Sequence, residues 1–188
     1  MKRICACLAL ALTTLLPGCW GYVSTEARER FQARRGPCTV TVYPVNVSRR
    51  GGGTTADGRL GRDLAAWMNA QGIAQAVPGR PGVPIRPVWR ANEARMAQGS
   101  AEAFGAWVRE AAIGTEYALL VEILCGADES QVLAVHVYLA EASGRVAAGG
   151  LANGHGEAFK RLRPSDRQGA LAVAQERILE LWAGPPVR

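Results

Sequence analysis

The sequence predicts an α/β domain: a mixed sheet with helices in two or three layers, in the order β-α-(β)-α-β-β-β-α. Three observations lead there. Short runs dense in valine and threonine or other apolar residues read as covered strands. Between them, apolar residues recur at helical spacing. Glycine- and proline-rich punctuation separates the two kinds of segment.

The first strand is CTVTVYPVNV, opening at Cys38 and nearly free of charge. SRRGGGTTADG follows as a loop by its glycine triplet. Leu60, Leu64, Trp67 and Met68 then mark one stripe of a helix, stopped by Gly72 with the apolar Ile73 behind it. The stretch 74–90 carries Pro78, Pro81, Pro84 and Pro87, so it is expected to be loop with one short edge strand near Ile85–Trp89. Ser100 is expected to cap a helix bearing Phe104, Trp107, Val108 and Ala111, closed by Gly114. TEYALLVEIL and QVLAVHVYLAEA, joined through GADES, predict a hairpin, and VAAGGLANG a weaker third strand. Ser165 with Gln168 reads as a capping box before a last helix striped by Leu171, Ala174, Ile178 and Leu181. Gly184-Pro185-Pro186 ends it, leaving 184–188 as a tail.

The beginning of the chain follows different rules. Lys2 and Arg3 precede an uncharged apolar run from Ile4 to Leu16, which ends in Leu16-Pro17-Gly18-Cys19. The run is shorter than the roughly 20 apolar residues that cross a bilayer, and it suits the apolar region of a signal peptide. Leu16 to Cys19 resembles the lipobox of bacterial lipoproteins. The resemblance implies removal of residues 1–18 as a signal peptide, lipid attachment at Cys19, and an envelope location. Trp20 after the cysteine, where aspartate is absent, implies the outer membrane of a two-membrane cell. Residues 19–37 are then a lipidated tether, in which Glu26 and Arg30 at i,i+4 allow a short helix while the apolar content is too thin to bury, and 38–183 a single domain. With the leader gone, Cys38 and Cys125 are the remaining cysteines. The first strand and TEYALLVEIL are expected to run parallel, with Cys38 opening one and Cys125 closing the other. That arrangement predicts two free thiols.

The domain itself resembles the fold shared by three groups: the amino-terminal domain of the Tol translocation protein, the curli-secretion lipoprotein, and the lipoprotein activators of penicillin-binding proteins. The resemblance rests on GTEYALLVEI after a helix, on LAEASGRVAA, and on CTVTVYPV, over about residues 38–182. The proline-rich stretch at 78–87 departs from it, as does Glu116 where aspartate is common. Its members share no single activity, so it implies fold rather than function.

No catalytic constellation is expected. Gly53 to Leu60 has the glycine spacing of a phosphate loop, but Arg59 and Leu60 stand where lysine and a hydroxyl residue are required. A looser anion site from Arg49, Arg50 and the following helix N-terminus is the residual candidate. His155 and Glu157 offer two metal ligands where zinc needs at least three, so no metal and no cofactor are expected. His136 is expected to satisfy a hydrogen bond beneath a helix. The acidic residues Glu116, Glu122, Asp128 and Glu129 gather at one hairpin, and Trp67, Trp89, Trp107 and Trp182 read as packing residues. The balance of 22 basic against 16 acidic residues, without a basic stripe, argues against nucleic acid. The expectation is a non-catalytic, lipid-anchored periplasmic module partnered with the membrane and an envelope protein. An envelope enzyme acting on glycan or lipid, and a subunit of a secretion or assembly complex, are the alternatives.

Overall fold

A computed structural model describes residues 22–184. The stretch expected to be a signal peptide, Cys19 and all but the first residue of the expected tail lie outside that range. Among the described residues the protein is a mixed α/β domain with a seven-stranded mixed sheet and five helices.

The centre of the sheet is β5 (Tyr117–Cys125), buried at every position, which explains its unbroken apolar sequence. On one side it pairs antiparallel with β6 (Val132–Glu141), which pairs with β7 (Val146–Asn153). On the other side lies the opening stretch, running parallel to β5 as expected. It is two strands rather than one: β1 (Cys38–Val42) and β2 (Val45–Arg49). Val42 sits opposite Leu119 and Asn46 opposite Glu122, so β1–β2 advances four residues while β5 advances three. The extra residue falls at Tyr43–Pro44, where proline has no N–H for the ladder. Against this irregularity packs Gly61, where a Cβ would stand 2.8 Å from the Tyr43 carbonyl oxygen.

Two elements differ from expectation at the sheet's flank. The glycine-rich loop contains β3 (Thr54–Asp57), antiparallel to β2. The strand expected near Ile85–Trp89 lies earlier, as β4 (Ala74–Pro78), parallel to β1. Pro78 ends it, and the proline stretch beyond runs as a strap that buries Val83 and Ile85.

Helix α2 (Gly58–Ala70) ends as predicted: the Gly72 N–H reaches the Asn69 carbonyl and the Ile73 N–H the Met68 carbonyl, with Gly72 at φ +65°. Helix α3 (Glu93–Ala111) starts two turns before the expected Ser100. Asn92 caps it by accepting from the Arg95 N–H, and Ser100 is an interior position buried against the sheet. A short helix α4 (Glu157–Leu162) precedes α5 (Arg167–Ala183). The α5 cap is Asp166, whose carboxylate accepts from the Gly169 N–H at 2.7 Å, one residue later than the predicted box. Helices α2 and α5 bury their apolar sides in one core and α3 in another, on opposite faces of the sheet. The domain is therefore three-layered.

The short helix allowed within the tether forms, but it is packed on the domain, against the expectation that its apolar content is too thin to bury. Helix α1 (Thr25–Ala33) lies against β7 and buries Ala27 and Phe31. Phe31 meets Tyr117 and Trp182 edge-on at 5.3 and 5.1 Å. Arg30 clamps Glu141 with two hydrogen bonds. One aromatic in a prepared slot does what a count of apolar residues does not reveal. Among the described residues no helix is long and apolar enough to cross a membrane.

Candidate functional site

The sheet register draws three polar side chains into one row: Asn46 on β2, Glu122 on β5 and His136 on β6 are successive neighbours, all fully buried. Alternation along β6 sets Tyr138 on the same face as His136, and α3 roofs that face. The first turn of α3 lowers Glu93 onto the row.

The contacts form a chain. Glu93 Oε1 lies 3.2 Å from His136 Nε2, and Glu93 Oε2 accepts from Asn153 Nδ2 at 2.6 Å. His136 Nδ1 lies 2.9 Å from the Tyr138 hydroxyl, which donates to Glu122 Oε2 at 3.2 Å. With both carboxylates accepting, the hydrogens of this chain have one consistent assignment. Since Tyr138 gives its proton to Glu122, it accepts from Nδ1. The Glu93 carboxylate is an acceptor, so Nε2 also donates. His136 is therefore the imidazolium. Burial alone pushes its pKa down, but the bonds to Glu122 and Glu93 outweigh burial and raise it. Burial likewise pushes Glu93 up, and its bonds to His136 and Asn153 bring it below the ordinary carboxylate value. Tyr138 is driven far up, chiefly by burial and then by the Glu122 charge.

The cluster is shut in except at Glu93, which reaches solvent at its rim. Glu122, His136 and Tyr138 have no exposed surface, and none of the described clefts is lined by them or by Glu93. Asn46 alone borders a cleft, of about 330 Å³, between β3 and the strap, where its Nδ2 donates to the Val83 carbonyl at 3.1 Å. The carboxylates flank opposite nitrogens of one ring, so their oxygens do not converge. Among the described residues no group of three such ligands is placed to hold a metal ion.

The other singled-out residues are scattered. Asp57 closes the N-terminus of α2 by accepting from the Arg59 and Leu60 N–H groups at 3.1 Å each, and Arg167 holds its other oxygen at 2.8 Å. These bonds outweigh burial and lower its pKa. The donors proposed for an anion are thus already occupied by a carboxylate. Arg49 and Arg50 sit at the far end of the β2–β3 hairpin, since Asp57 pairs with Val45 while Arg49 closes β2. Arg50 instead lies over the Trp89 ring, at 5.9 Å. The structure does not bring the two arginines to the helix N-terminus.

The acidic group also divides. Glu116 accepts from the Thr39 N–H at 2.8 Å, Glu129 pairs with Arg167, Asp128 closes a turn on Ser130, and Glu122 is interior. His155 and Glu157 are exposed, Glu157 paired with Lys160. The tryptophans pack against the cores. Cys38 and Cys125 are free and buried, opposite Ala74 and Arg49 at the two ends of the sheet. Burial raises both thiol pKa values.

Sequence reasoning reached His136 and its position under a helix, and it noted Glu122 among the hairpin acids. It missed Glu93, because a glutamate in a helix's first turn reads as a complement to the helix dipole. No family model matches the chain, and no curated protein matches it.

Proposed function

We propose that the chain is a lipid-anchored, non-catalytic module of the bacterial envelope, held at the periplasmic face of the outer membrane and acting through contact with another envelope protein. One observation carries the non-catalytic half: Glu122, His136 and Tyr138 have no exposed surface beneath α3, and of this cluster Glu93 alone reaches solvent, at the rim. Perturbed groups at working active sites face a cleft. Here they tie α3 to the sheet, which is an architectural task. The anchoring half rests on the resemblance of Leu16 to Cys19 to a lipobox.

The surface supports recognition at side chains more than at a sheet edge. The outer edge of β4 is stopped by Asn69, whose amide both donates to the Ala76 carbonyl and accepts from the Ala76 N–H, each at 2.8 Å. Exposed apolar side chains remain at Val77, Val88 and Leu179. Photo-crosslinking in living cells from these three positions tests the proposal. A discrete adduct with one envelope protein, retained when Glu122→Gln is added, is expected. No adduct from any position, or an adduct lost in a folded Glu122→Gln chain, contradicts it.

A further inference from the structure

The folded unit starts within a few residues of the cysteine read as the lipid carrier. Tyr22 is seated on β7, where a Cβ on Gly149 would meet its hydroxyl oxygen at 2.7 Å, and it meets Tyr138 edge-on at 6.4 Å. The Ser24 N–H donates to the Val146 carbonyl at 2.9 Å, and the Ser24 hydroxyl caps α1. Only Trp20 and Gly21 separate Cys19 from Tyr22. Three Cα–Cα steps span at most about 11 Å. A carrier cysteine sits at the level of the headgroups, so such a link gives the domain almost no freedom to stand off.

The face beside that link joins apolar side chains to arginines. A cleft of about 250 Å³ opens between α1, β7 and the end of α5, walled by Val23, Phe31 and Leu181 and flanked by Arg28 and by Arg177, the latter paired with Glu180 on the same wall. Arg28 and Gln32 are one helical turn apart and exposed. Among the described residues no carboxylate pairs with Arg28 or with the exposed Arg35. The Arg34 guanidinium carbon lies over the Phe31 ring, 3.6 Å from its centroid. An arginine within about a Debye length, roughly 8–10 Å, of an anionic bilayer is attracted to its surface charge.

We propose that the α1–α5 face rests directly on the anionic headgroups of the bilayer that holds Cys19, with Arg28 and Arg35 against lipid phosphates, so that the lipid fixes the domain's orientation as well as its address. This inference rests on the reading of Cys19 as the lipidated residue.

The test uses the mature protein extracted from membranes and reconstituted in phosphatidylethanolamine–phosphatidylglycerol vesicles, after its intact mass has established whether Cys19 carries lipid. A fluorophore is placed on a cysteine introduced at Gln32 or at Thr55, and quenching by a headgroup-nitroxide lipid is read. Thr55 is exposed on β3, four strand spacings or about 19 Å across the sheet from β7. Cys38 and Cys125 are buried and do not compete for label. Several-fold stronger quenching at Gln32 than at Thr55 is expected. It should be lost in Arg28→Glu/Arg35→Glu, and also when a flexible spacer of about 15 residues is inserted after Trp20. Equal quenching at the two sites in acylated protein overturns the seating and leaves the anchor standing. A Cys19 without lipid overturns both.

Discussion

Replacing His136 by alanine removes the central link of the chain from Glu93 to Glu122, and the cost should depend on pH in a direction the structure fixes. His136 is fully buried, and its pKa is raised above the ordinary 6.5. The stability it contributes is fully present below 6.5 and is lost as pH rises through the folded value. Glu93 is lowered from the ordinary 4.5, so its contribution is present above 4.5 and lost as pH falls through its own folded value. The two windows overlap between those ordinary values, and there the gap between wild type and His136→Ala should be widest. Breaking a buried ion pair costs about 3–5 kcal/mol. The Glu93 side chain is 27% exposed, which screens its half of the interaction and favours about 3 kcal/mol near pH 6. At alkaline pH the ion pair is gone from the wild type. What remains is the lost hydrogen bonding and packing, about 1–2 kcal/mol. Urea unfolding of both proteins across that range measures the gap, and titrations common to the two cancel. A gap that is flat with pH, or wider at alkaline pH, would refute the imidazolium assignment.

Three further outcomes follow from the packing. Asn69→Ala strips both hydrogen bonds from Ala76, so it should cost about 1–3 kcal/mol and leave the outer edge of β4 open. Unfolding curves measure the first effect and light scattering the second, and a variant as soluble as wild type would show that Asn69 does not guard the edge. Phe31→Ala should cost about 3–5 kcal/mol and speed amide exchange across Thr25–Ala33, because Phe31 is the main apolar anchor of α1. Unchanged exchange there would mean that the Arg30–Glu141 clamp alone suffices. In the native protein Cys38 and Cys125 should resist alkylation, and both should react after unfolding without reductant. A mass showing a disulfide would contradict the parallel alignment of β1 with β5.

The elements that declare themselves in the sequence are those whose reasons are local. The β5–β6 hairpin is legible because both strands are covered on two faces, and the end of α2 because Gly72 and Ile73 follow a clear stripe. The break at Tyr43–Pro44 is less so. Proline there shows where a hydrogen bond is missing, but the partner that advances one residue less is β5, more than seventy positions away. The start of α3 was misplaced because Ser100 and Asn92 are both good caps, and only the tertiary fold buries the first. The packing of helix α1 is not legible in its own residues because its partners, Tyr117 and Trp182, are distant in sequence. The polar cluster follows the same rule. His136 stands out by its position on a buried strand, whereas Glu93 becomes a partner only once α3 is laid across the sheet.

The most direct test of the proposed role is the intact mass of the full-length chain after expression in a two-membrane bacterium and detergent extraction of its membranes. One species is expected, beginning at Cys19 and carrying a diacylglyceryl thioether and an N-acyl chain, recovered in the outer-membrane fraction and lost on Cys19→Ser. A chain recovered without lipid, or cleaved at any other residue, would contradict it.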